Sequence, residues 1–206
     1  MKAFVKKEYA YGASYEDIPV PAPNEGEVLL KIHSTAICGT DIHIYAWNGW
    51  AQANIKQVPL IMGHEFVGTV VELGKGVKSL EVGDVVSGET HINCGACYQC
   101  RNGAPHICSH LVLPGVHRDG SFAEFMAYPE SCLVRLPESI PIEYGALMEP
   151  LGVGVSAVEK AQVAGANVVV VGSGPIGLGV VAVARAMGAR KIVALDVREY
   201  RLDLAK

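Results

Sequence analysis

No run of apolar residues in this chain reaches the ~20 that a membrane-spanning helix requires, although half of its 206 residues are hydrophobic. The opening residues, Met1-Lys2-Ala3-Phe4-Val5-Lys6-Lys7, contain no apolar h-region of the kind that directs secretion. A basic stripe is missing as well: the net charge is -4 and Lys and Arg are scattered, which argues against a nucleic-acid partner and against a polybasic membrane patch. These absences lead us to expect a soluble, globular, cytoplasmic protein whose partners are small molecules and further copies of itself. In that compartment the six cysteines should stay reduced, so metal ligation is a better default for them than disulfides. Cys132 has no partner in the pattern and reads as a small buried hydrophobe.

What the chain does have is metal-ligand spacing. Cys94-Gly95-Ala96-Cys97-Tyr98-Gln99-Cys100 is followed, after seven intervening residues, by Cys108. Tight turns of this kind aim several thiolates at one point, and four thiolates complete a closed tetrahedral shell with no room for substrate. The spacing favours a structural zinc on Cys94, Cys97, Cys100 and Cys108 over a redox pair or unrelated thiols. Earlier, Ile37-Cys38-Gly39-Thr40-Asp41-Ile42-His43 offers a thiolate followed by a hydroxyl and an imidazole, and Gly63-His64-Glu65 offers two more possible ligands. A catalytic zinc takes three protein ligands and keeps one position open, an arrangement that Cys38, His64 and one carboxylate would satisfy. Taken singly, Cys38 reads as a small buried residue and His64 as a core histidine. The four-cysteine cluster tips both towards metal.

The chain is organised in two parts. Up to about residue 90, short β-branched runs such as Glu27 to Ile32, Phe66 to Gly74 and Val82 to Val86 alternate with turn residues, which indicates an antiparallel, barrel-like β domain. Strand-like alternation returns at Ser121 to Tyr128. The tract from Ile142 to Ala161 has a helical period, through Leu147, Leu151, Val155 and Val158, with a break or restart expected at Pro150 that would let Glu149 turn inward. Asn167 to Val171 is a continuous apolar strand of the buried parallel type. It runs into Gly172-Ser173-Gly174-Pro175-Ile176-Gly177, an apolar helix through Met187, and a second strand, Lys191 to Leu195, ending at Asp196. A G-x-G-x-x-G between strand and helix, with an acid 19 positions past its last glycine, is the dinucleotide fingerprint: helix N–H groups face a pyrophosphate and the carboxylate takes a ribose hydroxyl. Asp196 favours NAD over NADP, because a carboxylate repels a 2′-phosphate.

With these residues in view, the chain resembles the zinc-dependent medium-chain alcohol dehydrogenases over its whole length. The resemblance is carried by Gly63-His64-Glu65-Phe66-Val67-Gly68 with Gly74 and Val77, then the four-cysteine lobe, then the nucleotide fold. Cys38 to Tyr45, Trp47 with Trp50, Val86 to Ile92, and Asp196 with Glu199 to Leu202 look most like members that oxidise L-threonine, whereas Val153-Gly154-Val155-Ser156 is closer to polyol dehydrogenases.

The resemblance implies an α+β and α/β fold. A barrel-like, chaperonin-10-like zinc-binding catalytic domain over 1–155, with a structural-zinc lobe at 90–112, would be followed at 156–206 by the first half of a doubly wound Rossmann sheet. It implies two zinc ions per subunit, the catalytic one on Cys38, His64 and Glu65 with Glu149 as an exchanging ligand or relay group. It implies a proton relay through Thr40 and His43, and NAD on Gly172, Gly174, Ile176, Gly177, Asp196 and Arg201. The activity implied is NAD-dependent oxidation of a secondary alcohol, L-threonine or a polyol such as sorbitol or butanediol, in a homo-oligomer, a tetramer when complete. Because family members continue well past this point, with the remaining strands and most of the nicotinamide pocket, the 206 residues alone are expected to be a zinc-stabilised, inactive part.

Overall fold

The structure is a computed structural model describing residues Met1–Lys206. The chain folds as two compact units, Met1–Leu147 and Met148–Lys206.

The first unit runs β1 (Lys2–Lys6), β2 (Ser14–Asp17), β3 (Glu27–Ala36), α1 (Gly39–Ala46), α2 (Gly49–Asn54), β4 (Leu60–Ile61), β5 (Glu65–Leu73), β6 (Val85–Gly88), α3 (Tyr98–Arg101), β7 (Phe125–Pro129) and β8 (Leu133–Arg135). All its strand pairings are antiparallel: a five-stranded sheet ordered β7-β3-β5-β6-β8 and a three-stranded sheet ordered β2-β1-β4. These are two open sheets, so the expected barrel-like domain does not close into a barrel. Alternation explains the main core. Val28 and Leu30 on β3, Phe66 and Val70 on β5, Val86 on β6, and Met126 and Tyr128 on β7 are buried together, each contributing about 1.5–3 kcal/mol by leaving water. The Phe66 and Tyr128 rings meet edge to face at 5.2 Å. A Cβ at Gly88 would lie 2.3 Å from the Phe66 ring, so only glycine fits there.

A second cluster, with Ile44 of α1, Ala51 of α2, Leu60, Met62 and Val116, seats the two short helices. Neither helix is long enough to be stable by itself. Burial of Ile44 and Ala51 therefore fixes where α1 lies, and with it the residues at the start of α1.

In the second unit, α4 (Met148–Ala161) leads to β9 (Asn167–Val171), α5 (Pro175–Ala186), β10 (Lys191–Leu195) and α6 (Glu199–Leu204). β9 and β10 pair in parallel, in register from Asn167↔Lys191 to Val171↔Leu195. Val168 and Ile192 pack with Val158, Val163, Val180 and Ala184, while Val169, Val171, Val193 and Leu195 on the opposite face are exposed. Gly154 lets α4 approach α5 closely, since a Cβ there would sit 3.1 Å from Gly179 and Val180 backbone atoms. The helical tract expected from Ile142 divides at Leu147/Met148, where a 3-10 turn over Ile142–Leu147 gives way to α4. Pro150 does not break the helix. It occupies the first turn of α4, where the amide proton it lacks has no intrahelical acceptor to lose.

Candidate metal centre and nucleotide-binding turn

Two adjacent antiparallel strands build the first cluster. β3 ends at Ala36 and β5 begins at Glu65, directly opposite it, so the residues that leave β3 and those that enter β5 meet at one edge of the sheet. Cys38 is the N-cap of α1, and Gly63, at φ +90, turns the chain into His64 and Glu65. Ligand atoms of Cys38, His64 and Glu65 lie within 4.8 Å of one another, and Glu65 is buried. One thiolate, one imidazole and one carboxylate are a donor set that suits a zinc ion with a position left for substrate. The Cys38 thiol is held below its usual range, first by its hydrogen bond with His64 and then by Thr40. Its Sγ lies 3.7 Å from the Thr40 hydroxyl.

The residue that joins the two halves is Asp41, which sequence reasoning left without a role. Its carboxylate is almost wholly buried. Oδ2 accepts the Cys38 amide at 2.8 Å and Oδ1 accepts the Gly63 amide at 3.1 Å, while His64 Nδ1 stands 4.0 Å from Oδ1. Burial pushes the Asp41 pKa up, against the opposing pull of those donors and of His64. Ser121, which is buried, shares a hydrogen bond of 2.7 Å with the more exposed Thr35, and Thr35 donates to the Glu65 carbonyl at 2.8 Å. Gly120 packs on Gly63: a Cβ there would lie 2.0 Å from the Gly63 carbonyl oxygen. Asp41 carried a weak signal, an acid three residues past a helix cap. Thr35 and Ser121, 86 residues apart, carried none.

The second cluster brings Cys94, Cys97, Cys100 and Cys108 together, again with all four sulfurs within 4.8 Å. Tetrahedral zinc with Zn–S bonds of ~2.3 Å sets sulfur–sulfur edges at ~3.8 Å. The observed edges include Cys97–Cys100 at 3.5 Å, Cys97–Cys108 at 3.8 Å and Cys94–Cys108 at 3.5 Å. Backbone amides of Cys94 and His110 donate to Cys108 Sγ, and that of Cys97 to Cys94 Sγ, at 3.3–3.4 Å, which offsets the negative charge of clustered thiolates. The Cys97 thiol is brought down to about 5 by the Cys100 and Ser109 amides, and Cys100 is pushed up to about 12, first by desolvation and then by its cysteine neighbours. Four sulfurs at these separations fit zinc and leave no place for a substrate.

Thr40 and His43 lie on α1, three residues apart and so on one face. Glu149 lies in the first turn of α4, in the second unit. In that unit the glycine turn has the expected form. Gly172 adopts φ +96, Gly174 caps α5 in an extended conformation, and a Cβ at Gly177 would fall 1.8 Å from the Gly172 carbonyl oxygen. Ile176 is exposed. Asp196 ties the two βα turns together by accepting the Ser173 and Arg198 amides, each at 2.8 Å. Those two amides, and Arg201 at 3.4 Å, hold its carboxyl below the usual range. Arg201 thus sits beside Asp196 while its Nε reaches the Tyr200 hydroxyl at 3.1 Å. These residues form a glycine-lined helix start with an acid at the end of the next strand, an arrangement of the kind that suits a dinucleotide.

Residues 24–138 match the alcohol dehydrogenase GroES-like domain, and the chain belongs to that family. Among individual relatives, it is 49% identical over 206 residues to L-threonine 3-dehydrogenase of Pyrococcus abyssi (strain GE5 / Orsay), aligning over 100% of this chain and 59% of that protein. Among solved structures, galactitol-1-phosphate dehydrogenase from Escherichia coli superposes with TM-score 0.91 at 33% identity, covering 100% of this chain and 58% of that one. A short chain alcohol dehydrogenase from E. coli CFT073 complexed with NADH superposes with TM-score 0.90 at 32% identity, over 100% and 59% of the two chains. The chain therefore spans about three-fifths of the length of the relatives it matches. No helix in it is long and apolar enough to cross a membrane.

Proposed function

We propose that the full-length protein is a zinc-dependent, NAD-dependent dehydrogenase that oxidises the secondary alcohol of L-threonine to 2-amino-3-ketobutyrate. The observation that carries this reading is the pair of unlike donor sets in one unit, Cys38 with His64 and Glu65, and the four cysteines. The first set would hold a catalytic zinc, with Glu149 as an exchanging ligand or relay group, and the second a structural one. Zinc on the first set supplies Lewis acidity that lowers the pKa of a substrate hydroxyl, and NAD on the glycine turn supplies the hydride acceptor. The chain's own residues do the rest. Asp41 holds the Cys38 and Gly63 backbones at one spacing. Thr40, whose hydroxyl neighbours the Cys38 sulfur, receives the substrate proton, and His43 passes it to solvent. The second unit binds NAD through Gly172, Gly174, Ile176, Gly177, Asp196 and Arg201. Its carboxylate at Asp196 selects a free ribose hydroxyl over a phosphate.

His43 is exposed, as a group that hands protons to water should be, and an imidazole is the side chain most often used for general acid–base transfer. His43→Asn is expected to lower turnover by roughly 10²-fold with zinc content unchanged. Normal turnover of that variant from pH 6 to 9 would remove the relay from the mechanism.

L-Threonine is supported by the identity to L-threonine 3-dehydrogenase along the whole of this chain. A polyol substrate is the second reading. It is favoured by the superposition on galactitol-1-phosphate dehydrogenase and by Val153-Gly154-Val155-Ser156 on α4. NAD reduction by the full-length protein should be well above background with L-threonine and much weaker with sorbitol or 2,3-butanediol. The opposite order would move the assignment to the polyol reading.

A further inference from the structure

The turn between α1 and α2 holds a side chain whose two ends do different things. Asn48 is the N-cap of α2, and its Oδ1 accepts the Trp50 and Ala51 amides at 3.1 and 3.2 Å. Its amide nitrogen lies 2.7 Å from Nδ1 of His43. The cap fixes the orientation of the amide group. Turning it over would set its NH2 against two backbone N–H donors, losing both capping bonds. Nδ2 must then face His43, and because an amide nitrogen only donates, Nδ1 of the ring must accept. A neutral imidazole carries one proton, so that proton is on Nε2.

The turn is held from several sides. Trp47 closes α1 in the left-handed region at φ 52, with its amide bonded to the His43 and Ile44 carbonyls. Gln52 Nε2 donates to the Trp47 carbonyl at 3.0 Å. The Trp47 ring packs on Tyr9 at 5.4 Å and lies 5.1 Å from the ammonium of Lys6. Lys6 is fully buried, and its Nζ also donates to the carbonyls of Ala10 and Gly12. On the other side, the His43 ring packs at 5.9 Å on Trp50, itself on the helix that Asn48 caps.

We infer that Asn48 is a positioning residue for the relay: it fixes the neutral His43 ring as the Nε2–H tautomer and reserves Nδ1 as its acceptor. This rests on the relay reading given above. A protonated ring has no lone pair left for Asn48, so each proton His43 takes up breaks the Asn48 contact and each proton it gives up restores it. The turn that caps α2 is thereby coupled to proton transfer at His43.

The tautomer can be read directly by nitrogen NMR on the zinc-loaded full-length protein labelled with 15N-histidine, at a pH where the rings are neutral. The His43 signals are assigned by their loss in His43→Gln. The expected spectrum has the proton on Nε2 and a hydrogen-bonded, unprotonated Nδ1. A proton on Nδ1 in the wild type overturns the inference. Asn48→Asp keeps a good cap for α2 but offers His43 an acceptor in place of a donor, so the proton should move to Nδ1. Asn48→Gly, a tolerated N-cap residue, removes the side-chain donor altogether and should leave a mixture of the two tautomers. If either variant kept the wild-type spectrum, Asn48 would not be what sets the ring. The measurement needs neither substrate nor cofactor. A His43→Asn variant with normal turnover would sink the relay and leave the tautomer assignment standing, whereas a wild-type proton on Nδ1 would do the reverse.

Discussion

Cys97→Ser is expected to take the full-length protein from about two zinc equivalents per chain to about one, and to lower the midpoint of thermal unfolding by roughly 10 °C. The reasoning starts from how little else orders the lobe. Tyr98 and Ile107 are exposed, and α3 is only four residues long. The lobe is tied across its base by a single pair of backbone bonds, Ile92 N to Val112 O at 3.1 Å and Val112 N to Ile92 O at 3.0 Å. The four sulfurs are therefore its core, and where a metal is the core its binding free energy is folding free energy. Serine offers a harder, weakly acidic oxygen that zinc in a thiolate shell does not favour. It also leaves the Cys100 and Ser109 amides without the sulfur they now face. Cys38, His64 and Glu65 belong to a separate donor set and should keep their metal. Retention of both equivalents with an unchanged midpoint would show that the four-cysteine cluster is not a structural zinc site.

That lobe was legible in the sequence because its geometry is local. Four ligands within fifteen residues can converge with the help of tight turns alone. The glycine turn was legible for the same reason: strand, turn and helix are contiguous, so the bounds of β9 and β10 follow from the apolar runs. Cys38, His64 and Glu65 were found by residue type, but not how they meet, which depends on Ala36 pairing with Glu65 across β3 and β5. Pairing register is a property of the packed sheet and leaves no mark at the ligands themselves. Thr35, Ser121 and Gly120 were invisible on the same ground. Each looks like an ordinary strand or loop residue until the chain brings it next to Gly63 or Glu65. The restart expected at Pro150 falls two residues earlier, at Met148, and no break occurs at the proline itself, because proline is tolerated in a first helical turn. That turn begins at Met148, directly after a 3-10 segment that the helical period did not distinguish from α-helix.

Asp41→Asn is expected to weaken the catalytic zinc by about 10–100-fold while the structural zinc stays bound. The substitution keeps the size and shape of the side chain and removes one acceptor. In the native protein both carboxylate oxygens accept backbone amides, Cys38 at 2.8 Å and Gly63 at 3.1 Å. Asparagine can satisfy only one. Its NH2 would face the other amide, donor against donor, in a site that is nearly sealed from water, at a cost of about 1–3 kcal/mol. The strain falls on the segment before His64 or on the start of α1 at Cys38, since relief requires one of them to move away. Cys38, His64 and Glu65 would no longer converge on one point, and a zinc site is sensitive to such displacement. Titration with a chelator, followed by metal analysis, should then show one tightly held equivalent and one readily lost, the mirror image of Cys97→Ser. Turnover should fall with the labile metal and recover in part when zinc is supplied in excess, which a general loss of fold would not allow. Wild-type zinc affinity and turnover in Asp41→Asn would mean that the paired amide contacts do not set the spacing of the site, and Asp41 would revert to an ordinary helix-capping residue.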